Sequence, residues 1–90
     1  MGRFVGIHTM PGFTPVMLER TTERLGRMND ASFVRAYSSF AGAKVVCEWE
    51  ARDRDSVART YAALGFPYDE IVTVEAISEL GDSGVETRYL

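Results

Sequence analysis

The segment Phe33-Val-Arg-Ala-Tyr-Ser-Ser-Phe-Ala-Gly-Ala-Lys-Val-Val-Cys-Glu-Trp-Glu-Ala51 decides the fold of this chain of 90 residues. Two runs rich in β-branched and aromatic residues flank the pair Ala41-Gly42, which predicts a β-hairpin. Because side chains alternate along a strand, this hairpin has an apolar face and a charged face. Charged side chains in the middle of a small sheet require a covering partner, ion pairs or a ligand, so this face is the candidate functional surface.

The segments on either side of the hairpin predict an α+β ferredoxin-like domain. The predicted elements are a strand over 3–9, a helix over 15–28, strands over 32–40 and 43–51, a helix over 56–64 and a strand over 71–77. This βαββαβ order is that of a sandwich in which two helices cover one face of an antiparallel four-stranded sheet. We assign residues 1–77 to this domain and 78–90 to a polar C-terminal tail or dimer arm.

The turn at Ala41-Gly42 sets the register of the hairpin and the two faces of the sheet. Opposite charges then meet across the strands, because Arg35 faces Glu48. The residues expected beneath the helices are Val34, Ala36, Val45, Cys47 and Trp49, together with Val5 and Ile7 of the first strand. The residues expected on the open face are Phe33, Arg35, Tyr37, Val46, Glu48 and Glu50, with Phe33 opposite Glu50, together with Phe4, Gly6 and His8 of the first strand.

An open face that mixes aromatic and charged side chains favours a cover, and the simplest cover is a second copy of the chain. Two such sheets packed face to face form a dimeric α+β barrel. We therefore predict a homodimer through the open sheet face, with a cavity between the sheets. The expected ligand-binding residues are His8, Arg35, Tyr37, Glu48 and Glu50.

The chemistry on this predicted face is limited to a few groups. His8 is the only histidine, and its imidazole is suited to metal ligation, to general-base chemistry or simply to an interface hydrogen bond. Glu48 and Glu50 are about 6 to 7 Å apart along one strand face, a spacing that suits a divalent cation or ion pairs with Arg35. His8 and Glu50 are the candidate metal ligands. Cys47 is expected to pack in the core, and no residue is assigned a catalytic role.

The composition excludes several partners. The net charge is −3 and no cluster of Lys and Arg occurs, which argues against nucleic acid. No apolar run is long enough for a membrane span. A single cysteine, Cys47, rules out an intrachain disulfide and fits a cytoplasmic protein.

Four segments resemble a known family: His8-Thr-Met-Pro-Gly-Phe-Thr-Pro15, Arg35-Ala-Tyr37, Gly42-Ala-Lys-Val-Val-Cys-Glu-Trp-Glu-Ala51 and Leu64-Gly-Phe-Pro-Tyr-Asp-Glu-Ile71. The chain is similar over residues 3–77 to the small bacterial nickel-binding-type ferredoxin-like proteins, most of which are classed as a domain of unknown function. The resemblance implies a ferredoxin-like dimer and a site for nickel or another divalent transition metal that includes His8. Relatives often carry further histidines near the second helix, where this chain has Tyr61-Ala-Ala63.

These observations favour a small cytoplasmic dimeric binding protein for a metal or a small ligand over an enzyme. One alternative is a small dimeric α+β barrel enzyme, of the cofactor-free oxygenase or isomerase type, with His8 as base. The other is a structural or regulatory dimer without a ligand.

Overall fold

The computed structural model describes residues 1–90 as six strands and two helices. In chain order they are β1 (Gly2–Thr9), α1 (Pro15–Gly26), β2 (Ala31–Ser39), β3 (Lys44–Ala51), α2 (Arg54–Leu64), β4 (Glu70–Val74), β5 (Ala76–Gly81) and β6 (Gly84–Tyr89). The first six follow the predicted strand-helix order, and the last two extend beyond it. No helix is long and apolar enough to cross a membrane.

The first four strands form one antiparallel sheet in the order β2-β3-β1-β4. Both helices contribute to a single hydrophobic core, so they cover the same face of this sheet. The core residues are Phe4, Phe13, Leu25, Ala31, Val45, Cys47, Trp49, Ala51, Val57, Tyr61 and Ile71. This α+β architecture is compatible with the predicted ferredoxin-like fold, whereas the dimeric barrel stays a prediction.

Both helices begin at the kind of residue that satisfies free backbone N–H groups. The Thr14 hydroxyl accepts a hydrogen bond from the Met17 amide at 3.2 Å, and Pro15 takes the first helical position of α1. The Asp53 carboxylate accepts from the Ser56 amide at 2.9 Å and begins α2. Gly65 then ends α2 in the left-handed conformation, with φ at 64°. These signals are local, so the sequence predicts both helices, although α1 ends at Gly26 instead of residue 28 and α2 begins at Arg54 instead of residue 56.

The register of β1 differs by one residue from the predicted one. With His8 on the open face, its predicted partner on β3 is an open-face residue such as Val46, but His8 pairs with Val45 and Ile7 with Val46. Because side chains alternate with a period of two, a one-residue slip moves every side chain to the other face. The prediction that Val5 and Ile7 lie in the core is therefore wrong. They lie on the open face with Arg3, while the core face of β1 carries Phe4, Gly6 and His8.

A β-bulge in β2 places Phe33 differently from the prediction. The predicted pairs Arg35 with Glu48 and Tyr37 with Val46 are confirmed, but the register shifts between Phe33 and Arg35. Phe33 consequently lies opposite Trp49 rather than Glu50, and its ring packs edge-on against Trp49 with centroids 5.4 Å apart. A bulge adds one residue to one strand, so the alternation seen in the sequence is interrupted there.

The C-terminal segment is a β-hairpin instead of a loose tail. Strand β4 ends at Val74, three residues before the predicted end, and β5 pairs with β6 in a separate two-stranded sheet. Almost every hairpin side chain is exposed, including Leu80, Val85 and Tyr89, and only Ile77 is half-buried. A two-stranded hairpin is marginally stable by itself in water. Its predicted role as a dimer arm remains a prediction.

Candidate functional site

The open face of the four-stranded sheet holds a cavity of about 230 Å³. Residues from all four strands of the sheet line it, and the C-terminal hairpin closes one side. The lining residues are Arg3, Val5, Arg35, Tyr37, Glu48, Val74, Ile77, Glu79 and Arg88. The hairpin therefore belongs to the candidate site as well as to the outer surface of the chain.

An ion-pair network forms the floor of the cavity. Arg3 on β1 donates to Glu48 and to Glu50 of β3, the latter bond measuring 2.7 Å. Arg35 on β2 reaches the other oxygen of Glu48 at 3.2 Å. The side chains of Arg3 and Glu48 are only 16% and 17% exposed, although no helix covers this face. The Nε atom of Arg3 is buried and has no hydrogen-bond partner.

Three of the five predicted ligand-binding residues lie together in this cavity, namely Arg35, Tyr37 and Glu48. Glu50 lies beside it and is bound to Arg3. His8 does not lie there. The expectation that His8 shares a face with Glu48 and Glu50 is wrong, because the register of β1 turns its side chain toward the helices.

His8 is instead completely buried in the aromatic core. Its Nδ1–H donates to the Pro67 carbonyl at 2.7 Å, which fixes the neutral tautomer, and its ring contacts Tyr61 and Phe66 with centroids 4.7 Å away. The Nε2 atom has no partner. Burial lowers the pKa of His8 below 6.5, against the opposing effects of the Pro67 carbonyl and the Asp69 carboxylate. A base for an open-face reaction would need the imidazole on the other side of the sheet.

Beside His8, a second set of buried polar groups is committed to structure. The Trp49 indole N–H donates to the Tyr61 hydroxyl at 2.7 Å. Burial raises the pKa of Tyr61 above its usual range and that of the Cys47 thiol to about 11. A thiol with such a pKa is almost fully protonated at neutral pH and is a poor nucleophile. This agrees with the expectation that Cys47 packs in the core.

The residues of one chain do not fit a nickel ion. No group of three or more His, Cys, Asp or Glu side chains converges anywhere in the chain. The unpartnered Nε2 of His8 sits among aromatic rings and on the opposite face from Glu50, so the two predicted metal ligands are not brought together. The carboxylates of Glu48 and Glu50 are both bound to Arg3.

Six of the nine lining residues of the cavity are absent from the predicted ligand-binding set, namely Arg3, Val5, Val74, Ile77, Glu79 and Arg88. Arg3 was overlooked because the predicted register of β1 placed its neighbours wrongly, yet a charge opposite Glu50 was a usable signal. Ile77, Glu79 and Arg88 were overlooked because the C-terminus was treated as a tail. The Gly81-Asp-Ser-Gly84 segment between two alternating runs was the signal for a hairpin there.

Comparisons with known proteins agree with the fold. Residues 4–74 match the model of a family described as nickel responsive protein SCO4226-like. Among solved structures, the chain is similar to SCO4226 from Streptomyces coelicolor A3(2), with a TM-score of 0.72 and 24% sequence identity. That alignment covers 80% of this chain and 94% of the other. No curated protein matches. The family match ends at Val74, so the C-terminal hairpin lies outside it.

Proposed function

The chain belongs to the SCO4226-like family of nickel-responsive proteins, and on that premise we propose that it is a small cytoplasmic binding protein that works as a homodimer. Its functional surface is the open face of the four-stranded sheet. A small ligand occupies the cavity between this face and the C-terminal hairpin.

The observation that carries the proposal is the partly buried ion-pair network on a face that no helix covers. Arg3, Glu48 and Arg35 are positioned by three neighbouring strands and surround a cavity. Ion pairs on a solvated surface contribute about 0 to 1 kcal/mol to stability, and for a partly buried pair such as Arg3 with Glu48 the cost of desolvation offsets much of the attraction. Such a network is therefore a weak stabilising device, and its best use is to orient polar groups toward a ligand.

Apolar side chains on the open face support the proposal that a second copy of the chain covers it. Val5, Ile7 and Val46 are half-buried there, while Val72 on the edge strand β4 and Tyr37 on the edge strand β2 are exposed. Domains of this size bury a smaller fraction of their surface on folding than larger domains do, and they gain from association. A sheet-to-sheet contact between two copies would remove these apolar side chains from water.

Light scattering on two matched variants tests the dimer. Val72 lies on the open face and Val16 on the exposed side of α1, and both are exposed in one chain. We expect wild type and Val16→Glu to have about twice the chain mass of 10.0 kDa at micromolar concentration, and Val72→Glu to have the mass of one chain. Monomeric wild type, or dimeric Val72→Glu, would contradict the proposed interface.

Nickel titration of the same variants is the companion measurement. One chain offers no three-ligand cluster, so we expect the monomeric Val72→Glu variant to take up no nickel. Stoichiometric nickel binding by that variant would contradict the geometry. A dimer that binds neither nickel nor a small molecule would leave the alternative of a structural or regulatory dimer.

A further inference from the structure

We propose that the cavity beneath the C-terminal hairpin binds a small carboxylate anion, which Arg35 of the sheet and Arg88 of the hairpin hold from two sides. This inference rests on the proposed ligand site on the open face and specifies the chemistry of its ligand.

The charges that line the cavity favour an anion. Three arginines and two glutamates face it. Arg3 is committed to Glu48 and Glu50, whereas the Arg35 side chain is 57% exposed and forms one ion pair, closest between its Nε and Glu48, so much of its guanidinium group is open to a ligand. Arg88 forms no ion pair at all. Two guanidinium groups with free donors are suited to carboxylate oxygens, which they bind in bidentate fashion.

The rest of the lining favours a carboxylate on a short hydrocarbon chain over a phosphate. Phosphate sites typically use helix N-termini or nests of backbone N–H groups, whereas side chains of strands line this cavity. Val5, Val74 and Ile77 supply an apolar lining suited to methylene groups. A volume of about 230 Å³ corresponds to roughly eight water-sized groups, which suits a compact molecule such as a four-carbon dicarboxylate.

Part of this site lies in the C-terminal hairpin, outside the residues that match the family. Arg88, Ile77 and Glu79 all follow residue 74, where the family match ends. They lie on one hairpin face, because Ile77 pairs with Arg88 and Glu79 with Glu86. The directly opposed Glu79 and Glu86 repel each other, which weakens an already marginal hairpin. An anion that bridges Arg88 and Arg35 would fasten the hairpin to the sheet.

Calorimetry with succinate at low ionic strength tests the proposal on the full-length chain. We expect saturable binding of succinate and none of its neutral diamide. Arg35→Gln and Arg88→Gln should each weaken binding about tenfold, since each removes a charge-assisted hydrogen bond. Arg20→Gln makes the same charge change on the exposed side of α1 and should leave binding unchanged.

Glu79→Gln separates a binding effect from a folding effect. It changes the same hairpin face as Arg88→Gln but removes a negative charge from the cavity, so it should strengthen succinate binding. Glu86→Gln relieves the same Glu79–Glu86 repulsion at a residue that does not line the cavity, so a larger gain in binding with Glu79→Gln than with Glu86→Gln is not explained by hairpin stability. Absence of succinate binding, preference for inorganic phosphate, or equal weakening by Arg20→Gln would overturn the carboxylate site. The light-scattering result for Val72→Glu is independent of these outcomes and tests the dimer alone.

Discussion

The two faces of the four-stranded sheet are built from alternate residues of the same strands, and they use polar groups in opposite ways. On the core face, His8 and Trp49 each donate to one fixed partner, Pro67 and Tyr61. On the open face, Arg35 keeps free donors beside a cavity. Polar groups fixed in a core specify structure, whereas free donors next to a cavity are available to a ligand. The core face therefore contributes to stability, and the open face is where we propose that the ligand binds.

Gly6→Ala should have the largest effect on stability, because it adds a methyl group on the core face where β1 approaches Tyr61 closely. A Cβ at position 6 would lie 2.8 Å from the Cζ atom of Tyr61, whose ring is fixed between Trp49 and His8. We expect the free energy of unfolding in urea to fall by about 3 kcal/mol, at the upper end of overpacking effects.

Gly26→Ala is the matched control for this substitution. Gly26 is the last residue of α1, and an added Cβ would meet nothing within 4 Å. Alanine should stabilise the helix there by up to about 1 kcal/mol. If both variants unfold at the same urea concentration, the close approach of Tyr61 to β1 is not a feature of the folded chain.

Tyr61→Phe should have the next largest effect. It removes the hydroxyl that accepts from the Trp49 indole and strands a buried N–H group. We expect a loss of about 2 kcal/mol in the free energy of unfolding, the cost of an unsatisfied buried donor. Trp49 is the only tryptophan, so its fluorescence follows unfolding directly.

Tyr37→Phe makes the same change on the open face and sharpens the comparison. Tyr37 is 61% exposed, and Tyr37→Phe does not unpair a buried donor. Its removal should change stability by less than about 0.5 kcal/mol. Equal losses for the two tyrosines would show that the two faces do not differ in the way described above.

The sequence predicts the elements and their order because the signals are local. Thr14-Pro15, Asp53 and Gly65 bound the helices, and the alternation of β3 correctly divides Cys47 from Glu48. The pairing of Arg35 with Glu48 also follows from the short turn between β2 and β3. Short connections therefore let register be read from sequence.

The register of β1 is beyond such local reasoning. Helix α1 and strand β2 separate β1 from β3, and its other partner β4 is farther along the chain, so no short connection fixes the alignment of β1. The deciding contact is Gly6 against Tyr61, which joins residues far apart in sequence. Reasoning that lacks this contact places His8 on the open face and leaves Arg3 out of the predicted site. The bulge before Arg35 is likewise set by the packing of the sheet, whereas the C-terminal hairpin has a local turn signal in Gly81-Asp-Ser-Gly84 and is accessible to sequence reasoning.

The remaining prediction concerns the pH dependence of stability through His8, and it tests whether the core face holds this imidazole neutral. Burial lowers the pKa of His8, so the folded chain binds its proton less readily than the unfolded chain, whose histidine has a pKa near 6.5. Stability must therefore fall as pH decreases below 6.5, by at most about 1.4 kcal/mol per pH unit, and it is insensitive to this group above that pH. Because His8 is the only histidine, one imidazole resonance in an NMR titration reports its midpoint, which should lie below 6.5. His8→Asn supplies a control that retains an N–H donor for the Pro67 carbonyl but does not titrate, so its urea midpoint should depend less on pH between about pH 7 and pH 5. A midpoint above 6.5 would mean that a charged partner outweighs burial. In that case the imidazole would not belong to the dry core face, and its assignment to structure instead of function would be wrong.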